Sequence, residues 1–199
     1  GENFDFPQLV EGKREIYKRV FFDAAYNSLC RKAFKSTLLA GQDYSAHYYV
    51  KRGEDLFQSI ETIERASRVV FWPDILYNYR LNPNSITQTI RYDNYSVDFT
   101  VREAVLKCIN DCNMFQEMDY IEYRSYAIWL IIKEIEIIAG FKVDYARKED
   151  LFEQIRNHAY YRDFILGGPY NRASTGKKSS VFELFNKKQY RLVLAVVIM

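Results

Sequence analysis

The sequence predicts an α+β chain that is predominantly helical: a small sheet packed among the first helices, then a helical subdomain from about residue 93. Three observations predict it. Apolar residues recur at helical spacing through most of the chain, the β-prone runs are short and precede residue 82, and after Asp93 the pattern turns to long helices. The 199 residues suffice for one domain or a small domain plus an extension. With 48% hydrophobic and 27% charged side chains, a sizeable core can form.

Taken in order, residues 13–24 place Ile16, Val20 and Phe21 among Lys and Arg, as in a short amphipathic helix. A second helix is expected over Asn27 to Leu39, ended by Gly41, and Tyr48-Tyr49-Val50 is a short β-prone run. Glu54 and Asp55 open a helix running to about Ala66, with Leu56, Ile60 and Ile63 on one face. Acidic residues in its first turn complement the positive end of the helix macrodipole. Val69 to Trp72, stopped by Pro73, is an expected strand, and Ile75 to Leu81 a second one, with turn chemistry at Asn82-Pro83-Asn84.

Beyond Asp93, Val97, Val101, Ala104, Val105, Cys108 and Cys112 line one helix face. Ile121 to Ala139 is apolar enough to be largely buried, with Gly140 closing it, and Arg147 to Phe164 forms a third helix. Gly167-Gly168-Pro169 and Ser174 to Ser180 read as a loop. A last helix runs from near Ser180 into the apolar stretch Leu192 to Met199. That stretch is either packed on the core or an interfacial anchor with Lys187, Lys188 and Arg191 at lipid headgroups. The expected organisation is residues 1–92 and 93–199.

Composition narrows the function classes. The 28 basic and 26 acidic side chains leave +2, without the basic excess or stripe of a nucleic-acid binder. Three cysteines form no disulfide framework and fit a reducing, cytoplasmic compartment. Cys108 and Cys112, one helical turn apart, read as buried thiols, and His47 and His158 complete no metal site. No signal peptide or run of about 18 apolar residues is present. Gly1, in place of Met, reads as the scar of a removed tag on an excised piece. The 17 Tyr and 14 Phe suit a sugar-binding cleft, although the core is expected to claim most of them. There is no glycine-rich phosphate loop, no Asp-x-Asp pair, no Gly-x-Ser-x-Gly and no His-Glu-x-x-His.

One dense constellation remains. It reads Asn27-Ser28-Leu29-Cys30-Arg31-Lys32, then Gly53-Glu54-Asp55-Leu56-Phe57, then Leu76-Tyr77-Asn78-Tyr79-Arg80, then Asn84-Ser85-Ile86-Thr87. Over about residues 10–90 this order and spacing resembles the second half of the catalytic domain of family 2 glycosyltransferases of the bacterial polysaccharide-assembly kind. The resemblance implies the acceptor-side half of a GT-A type domain followed by a helical extension, with the donor-binding half missing.

It further implies an inverting transfer from a nucleotide-sugar donor to a glycan or lipid-linked acceptor. Asp55 takes the position of the general base, and Glu54 orients it or shapes the acceptor pocket. Tyr77, Tyr79, Arg80 and Ser85 stand at the acceptor site, where a guanidinium suits phosphate oxygens. Each has a plainer reading: Asp55 as a helix cap, Arg80 in a structural ion pair, Tyr77 or Tyr79 in the core, Ser85 as a turn cap. Arg31 and Lys32 either approach an anionic group or lie on a solvated face.

The chain carries no cofactor site. The manganese or magnesium ion of such enzymes is expected only in the full-length protein, so the piece alone is expected to be inactive. The Gln-x-x-Arg-Trp segment of processive synthases is absent, which favours transfer of one sugar. The competing expectation is a helical protein-interaction module without catalysis. A third is a membrane-surface adaptor using the C-terminal run, with a membrane-peripheral location. Loss of the donor half would expose one side of the sheet and leave room for a homodimer there.

Overall fold

The structure is a computed structural model. It describes residues 5–43, 45, 53–78, 80, 94–175 and 178–198, with the side chains of 94–98, 174 and 175 outside that description. Helix predominates, with one two-stranded sheet among the described residues. The chain divides into two compact units, Gly1–Phe115 and Gln116–Met199.

In the first unit, strand β1 (Gln8–Glu11) leads through Gly12, at φ 84°, into helix α1 (Lys13–Phe21). Ile16, Tyr17, Val20 and Phe21 bury one face of α1, and Lys18 and Arg19 sit in its last turn, where the macrodipole favours cations. The expected helix over 27–39 is not formed. The chain instead makes 3-10 turns at Ala24–Tyr26 and Leu29–Arg31 and one α-helical turn, α2 (Ser36–Leu39). Asp23 accepts a hydrogen bond from the Ala25 N–H at 2.8 Å, an Asx turn that competes with a regular helix start.

Helix α3 (Glu54–Arg65) matches its expected span and buries Leu56, Ser59, Ile60, Thr62 and Ile63. Its last carbonyls are taken by the Lys13 ammonium, which donates to Ile63 (3.4 Å), Glu64 and Ala66 (3.1 Å). This ties the start of α1 to the negative end of α3.

Strand β2 (Arg68–Phe71) follows and pairs antiparallel with β1, with Gln8 opposite Phe71 and Leu9 opposite Val70. β1 was not expected. The strand expected over 75–81 is absent as far as it is described: residues 74–78 have no regular structure, while 79 and 81 lie outside the described residues, as do Tyr48 to Val50. Helix α4 (Asn94–Cys112) buries Val101, Val105, Cys108 and Ile109 against α1 and α3. The two compact units divide after Phe115, whereas the expected boundary at residues 92–93 lies outside the described residues.

The second unit is built around α5 (Glu117–Gly140), which opens with a capping box between Gln116 and Asp119. Helix α6 (Tyr145–Asn157), a π-helical turn at Tyr161–Ile165, and helices α7 (Arg172–Thr175), α8 (Ser179–Asn186) and α9 (Tyr190–Ile198) all belong to it. All of them pack on α5 itself, which explains a helix apolar on most of its surface.

Two expected helices are interrupted. The helix expected over 147–164 ends at Asn157, and the chain resumes as the π turn, whose Leu166 N–H donates to the Tyr161 carbonyl at 2.8 Å and which buries Tyr161 and Ile165. The last helix breaks at Lys188, at φ 56°, because the Arg156 guanidinium caps the Phe185 and Asn186 carbonyls, both at 3.0 Å. On α9, Tyr190 and Val193 are buried, while Leu192, Val196 and Ile198 are exposed. Among the described residues, no helix is long and apolar enough to cross a membrane.

The Gly167-Gly168-Pro169 break is set by Arg124, which donates to the Phe164 carbonyl (2.7 Å) and the Pro169 carbonyl (2.8 Å) and lies over the Phe164 ring at 4.6 Å. A Cβ on Gly168 would stand 2.4 Å from Arg124 Nε. The hydrogen bonds hold that side chain in place, so Gly168→Ala is expected to destabilise the protein by about 1–3 kcal/mol, as overpacking does. Urea denaturation measures it, and an unmoved midpoint would show that Arg124 swings clear.

Candidate functional site

The centre of the site is the start of α3. Gly53 lies in the left-handed region at φ 78°, a conformation that glycine adopts without penalty and that turns the chain into the helix. Glu54 and Asp55 then fall in the first turn, both half-buried. Asp55 does not cap its own helix. Its Oδ2 accepts from Ser28 Oγ at 3.0 Å and from the Leu29 N–H at 3.1 Å, so it caps the 3-10 turn Leu29–Arg31 from across the unit. Asp55 Oδ1 makes no hydrogen bond to a described residue.

The same turn brings in a cation. Lys32 Nζ donates to the Ser28 carbonyl at 2.9 Å. Burial pushes the Lys32 amine down to about 8, and the neighbouring Asp55 charge pulls it part of the way back. Ser28 Oγ also lies 3.0 Å from Cys30 Sγ. Since the single hydroxyl proton of Ser28 goes to Asp55, the exposed Cys30 thiol is the donor in that contact. The result is a chain from Cys30 through Ser28 to one oxygen of Asp55, with an ammonium alongside.

Lys32 carries a prediction of its own. Its folded value lies below the ordinary 10.5. Between about pH 8 and 10.5 the unfolded chain keeps the proton that the folded chain has released, so this group's contribution to stability rises with pH across that window. A site-resolved NMR titration of the lysine side chains is expected to show one midpoint near 8, moving back towards the ordinary value when the chain is unfolded in urea. A Lys32 midpoint near 10.5 in the folded protein would mean that the amine is in open water.

The expected site residues fare differently. Asp55 is brought against the 27–32 segment. Glu54 sits beside Asp55 in the chain but makes no hydrogen bond to it; Ser28 and the Leu29 amide hold Asp55 instead. Tyr77 is exposed at 52%, and Arg80 is exposed and makes no ion pair with a described residue. No hydrogen bond joins either to Asp55. Tyr79 and Ser85 lie outside the described residues. Of Arg31 and Lys32, Lys32 approaches the carboxylate, whereas Arg31 donates to the Ala25 carbonyl at 3.1 Å.

Sequence reasoning missed Ser28 as a holder of Asp55. The only available signal was its place at the start of the Asn27 to Lys32 segment. Among the described residues, no group of three His, Cys, Asp or Glu side chains is placed to hold a metal ion. No family model, curated protein or solved structure matches the chain.

Proposed function

We propose that this chain is the acceptor-side portion of an inverting family 2 glycosyltransferase, moving a sugar from a nucleotide-sugar donor to a hydroxyl of a glycan or lipid-linked acceptor. One observation carries the reading. Two segments of the resemblance, 27–32 and 53–57, meet in space at Asp55, whose Oδ2 is fixed by two hydrogen bonds while Oδ1 has none to a described residue. A general base needs this division of labour: one oxygen to set orientation, the other to receive the proton.

In the transfer, the acceptor oxygen bonds to the anomeric carbon from the face opposite the leaving group. The bond from that carbon to the diphosphate breaks with its electron pair going to the diphosphate, and the hydroxyl proton passes to Asp55 Oδ1. Ser28 Oγ and the Leu29 N–H keep the carboxylate from turning, and the Lys32 ammonium provides positive charge beside it. Tyr77, Tyr79, Arg80 and Ser85 are assigned by the resemblance to the acceptor side. In enzymes of this kind a manganese or magnesium ion neutralises the departing diphosphate; under this reading its ligands belong to the donor half.

A cytoplasmic, membrane-peripheral place goes with this function. The exposed Leu192, Val196 and Ile198 of α9, next to Lys187 and Arg191, suit contact with a lipid surface. The second reading, an interaction module without catalysis, is favoured by the exposed apolar residues around β2. The deciding experiment is a screen of nucleotide-sugar donors on the intact protein, wild type against Asp55→Asn. Product formation that depends on Asp55 supports the transferase. No product with any donor, or product indifferent to the substitution, leaves the interaction module.

A further inference from the structure

Three reactive groups converge on Ser28. The exposed Cys30 thiol donates to Ser28 Oγ at 3.0 Å, and Ser28 Oγ donates onward to Asp55 Oδ2 at 3.0 Å. The half-buried Lys32 amine donates to the Ser28 carbonyl at 2.9 Å. Holding Asp55 takes only the serine hydroxyl and the Leu29 N–H, so the thiol at the outer end of the chain has no part in that task.

The thiol instead heads a proton path. When its proton moves to Ser28 Oγ and the serine proton moves to Asp55, a thiolate is left at the surface and the carboxyl is neutral. The thiolate is the form that attacks an acyl carbon. Two residues along the chain stands an amine unlike a solvated lysine. Burial brings Lys32 down to about 8, against the opposing pull of Asp55 and Cys30. Near that pH about half of Lys32 is the free base, whereas a solvated lysine is almost wholly ammonium. A surface thiol with a proton path, close to a free amine, is what transfer of an acyl group from sulfur to nitrogen requires.

We propose that Cys30 and Lys32 form an acyl relay, in which Cys30 accepts a short acyl group from a thioester and passes it to Lys32 Nζ as a stable amide. In the first step the Cys30 sulfur bonds to the acyl carbon and the donor's carbon–sulfur bond breaks. The departing thiolate recovers the proton from Asp55 through Ser28. In the second step the free Lys32 amine bonds to the same carbon, the new carbon–sulfur bond to Cys30 breaks, and the sulfur takes back one proton from the nitrogen. The sum is a thioester and an amine converted into an amide and a thiol. A half-buried amine admits a small acyl group, such as acetyl. The modification stands independently of the transferase reading. Its effect on sugar transfer rests on that reading, since the amide erases the positive charge beside Asp55.

Incubating the whole 199-residue chain with acetyl-coenzyme A near pH 8, without any acetyltransferase, tests it, the label on each lysine being read by peptide mass spectrometry. Lys32 is expected to gain acetyl at least about tenfold faster than the exposed lysines, the advantage of an intramolecular transfer. Cys30→Ala, at an exposed position and so expected to keep the circular dichroism of the wild type, brings Lys32 down to their rate. Lys32→Arg leaves the acetyl group stranded on Cys30 as a thioester that hydroxylamine cleaves. A wild-type Lys32 no faster than the exposed lysines overturns the proposal. So does a fast Lys32 in Cys30→Ala, or a Cys30 that carries no thioester in Lys32→Arg.

Discussion

Under the proposed transferase function, Asp55→Asn in the intact protein is expected to lower turnover by about 10²–10⁴-fold, the contribution usual for a positioned general base. The substitution keeps the size and planarity of the side chain. Its remaining carbonyl oxygen can still accept from Ser28 Oγ and the Leu29 N–H, which places the new NH₂ where Oδ1 was. An amide nitrogen cannot take the acceptor's proton, so chemistry is lost while the local structure stands. The melting temperature and the KM for the donor should therefore stay near those of the wild type. Loss of the fold would produce the opposite pattern, with both changing together. Ser28→Ala provides a graded comparison: one of the two hydrogen bonds on Oδ2 goes, the Leu29 amide remains, and turnover should fall by roughly tenfold, the worth of one hydrogen bond to a charged group. Transferase activity that survives Asp55→Asn unreduced removes the base from the mechanism and the mechanism from this site.

Asp55 stands out in the sequence because acidic residues open an amphipathic segment there. Ser28 does not, because a serine near a turn is ordinary, and its importance arises only when α3 brings Asp55 across to it. The helices followed the same logic. α3 and α5 were legible because their apolar period and their end residues agree, with Gly53 ahead of one and Gly140 closing the other. β1 was not, because Gln8 to Glu11 becomes a strand only through pairing with β2, a partner distant in the chain. The breaks at Lys188 and after Asn157 were hidden for a related reason. Both lie inside stretches whose apolar spacing on either side fits a continuous helix, although the residues at the breaks, Asn186 to Gln189 and Asn157-His158, are polar. What interrupts them is a tertiary contact, the Arg156 guanidinium on the end of α8 and the burial of Tyr160 and Tyr161 in the π turn. Local pattern specifies elements whose caps lie next to them; caps supplied from elsewhere in the fold leave no local trace.

Those same contacts make Phe185 the position where truncation should cost the second unit most. Its side chain is fully buried, and three rings surround it: Phe152 at 5.6 Å and Tyr161 at 5.9 Å, both edge-on, and Tyr190 at 5.7 Å. The Arg156 guanidinium lies 5.8 Å from its ring while donating to its carbonyl. Phe185→Ala therefore removes a ring from a site that cannot collapse, since its neighbours are aromatic, rigid and tied down. Tyr190 is bound to Glu153 at 2.6 Å and Tyr161 to Asn186. The expected loss is about 3–5 kcal/mol, a large share of the stability of a small domain. Phe185→Leu, which fills more of the space, should cost less than the alanine. Urea unfolding of the three proteins measures both.

Alkaline titration gives an independent reading of the same core. Burial holds the Tyr161 and Tyr190 hydroxyls well above the ordinary tyrosine range, so the folded chain keeps protons that the unfolded chain gives up. Stability contributed by these groups is full below about pH 10 and drains away as pH rises beyond it. A core weakened at Phe185 reaches zero stability earlier on that slope, so tyrosinate absorbance from Tyr161 and Tyr190 should appear at lower pH in Phe185→Ala than in the wild type. Equal onsets in the two proteins would mean that Phe185 does not help to seal these hydroxyls from water, and that the aromatic cluster is not the cooperative core of the second unit.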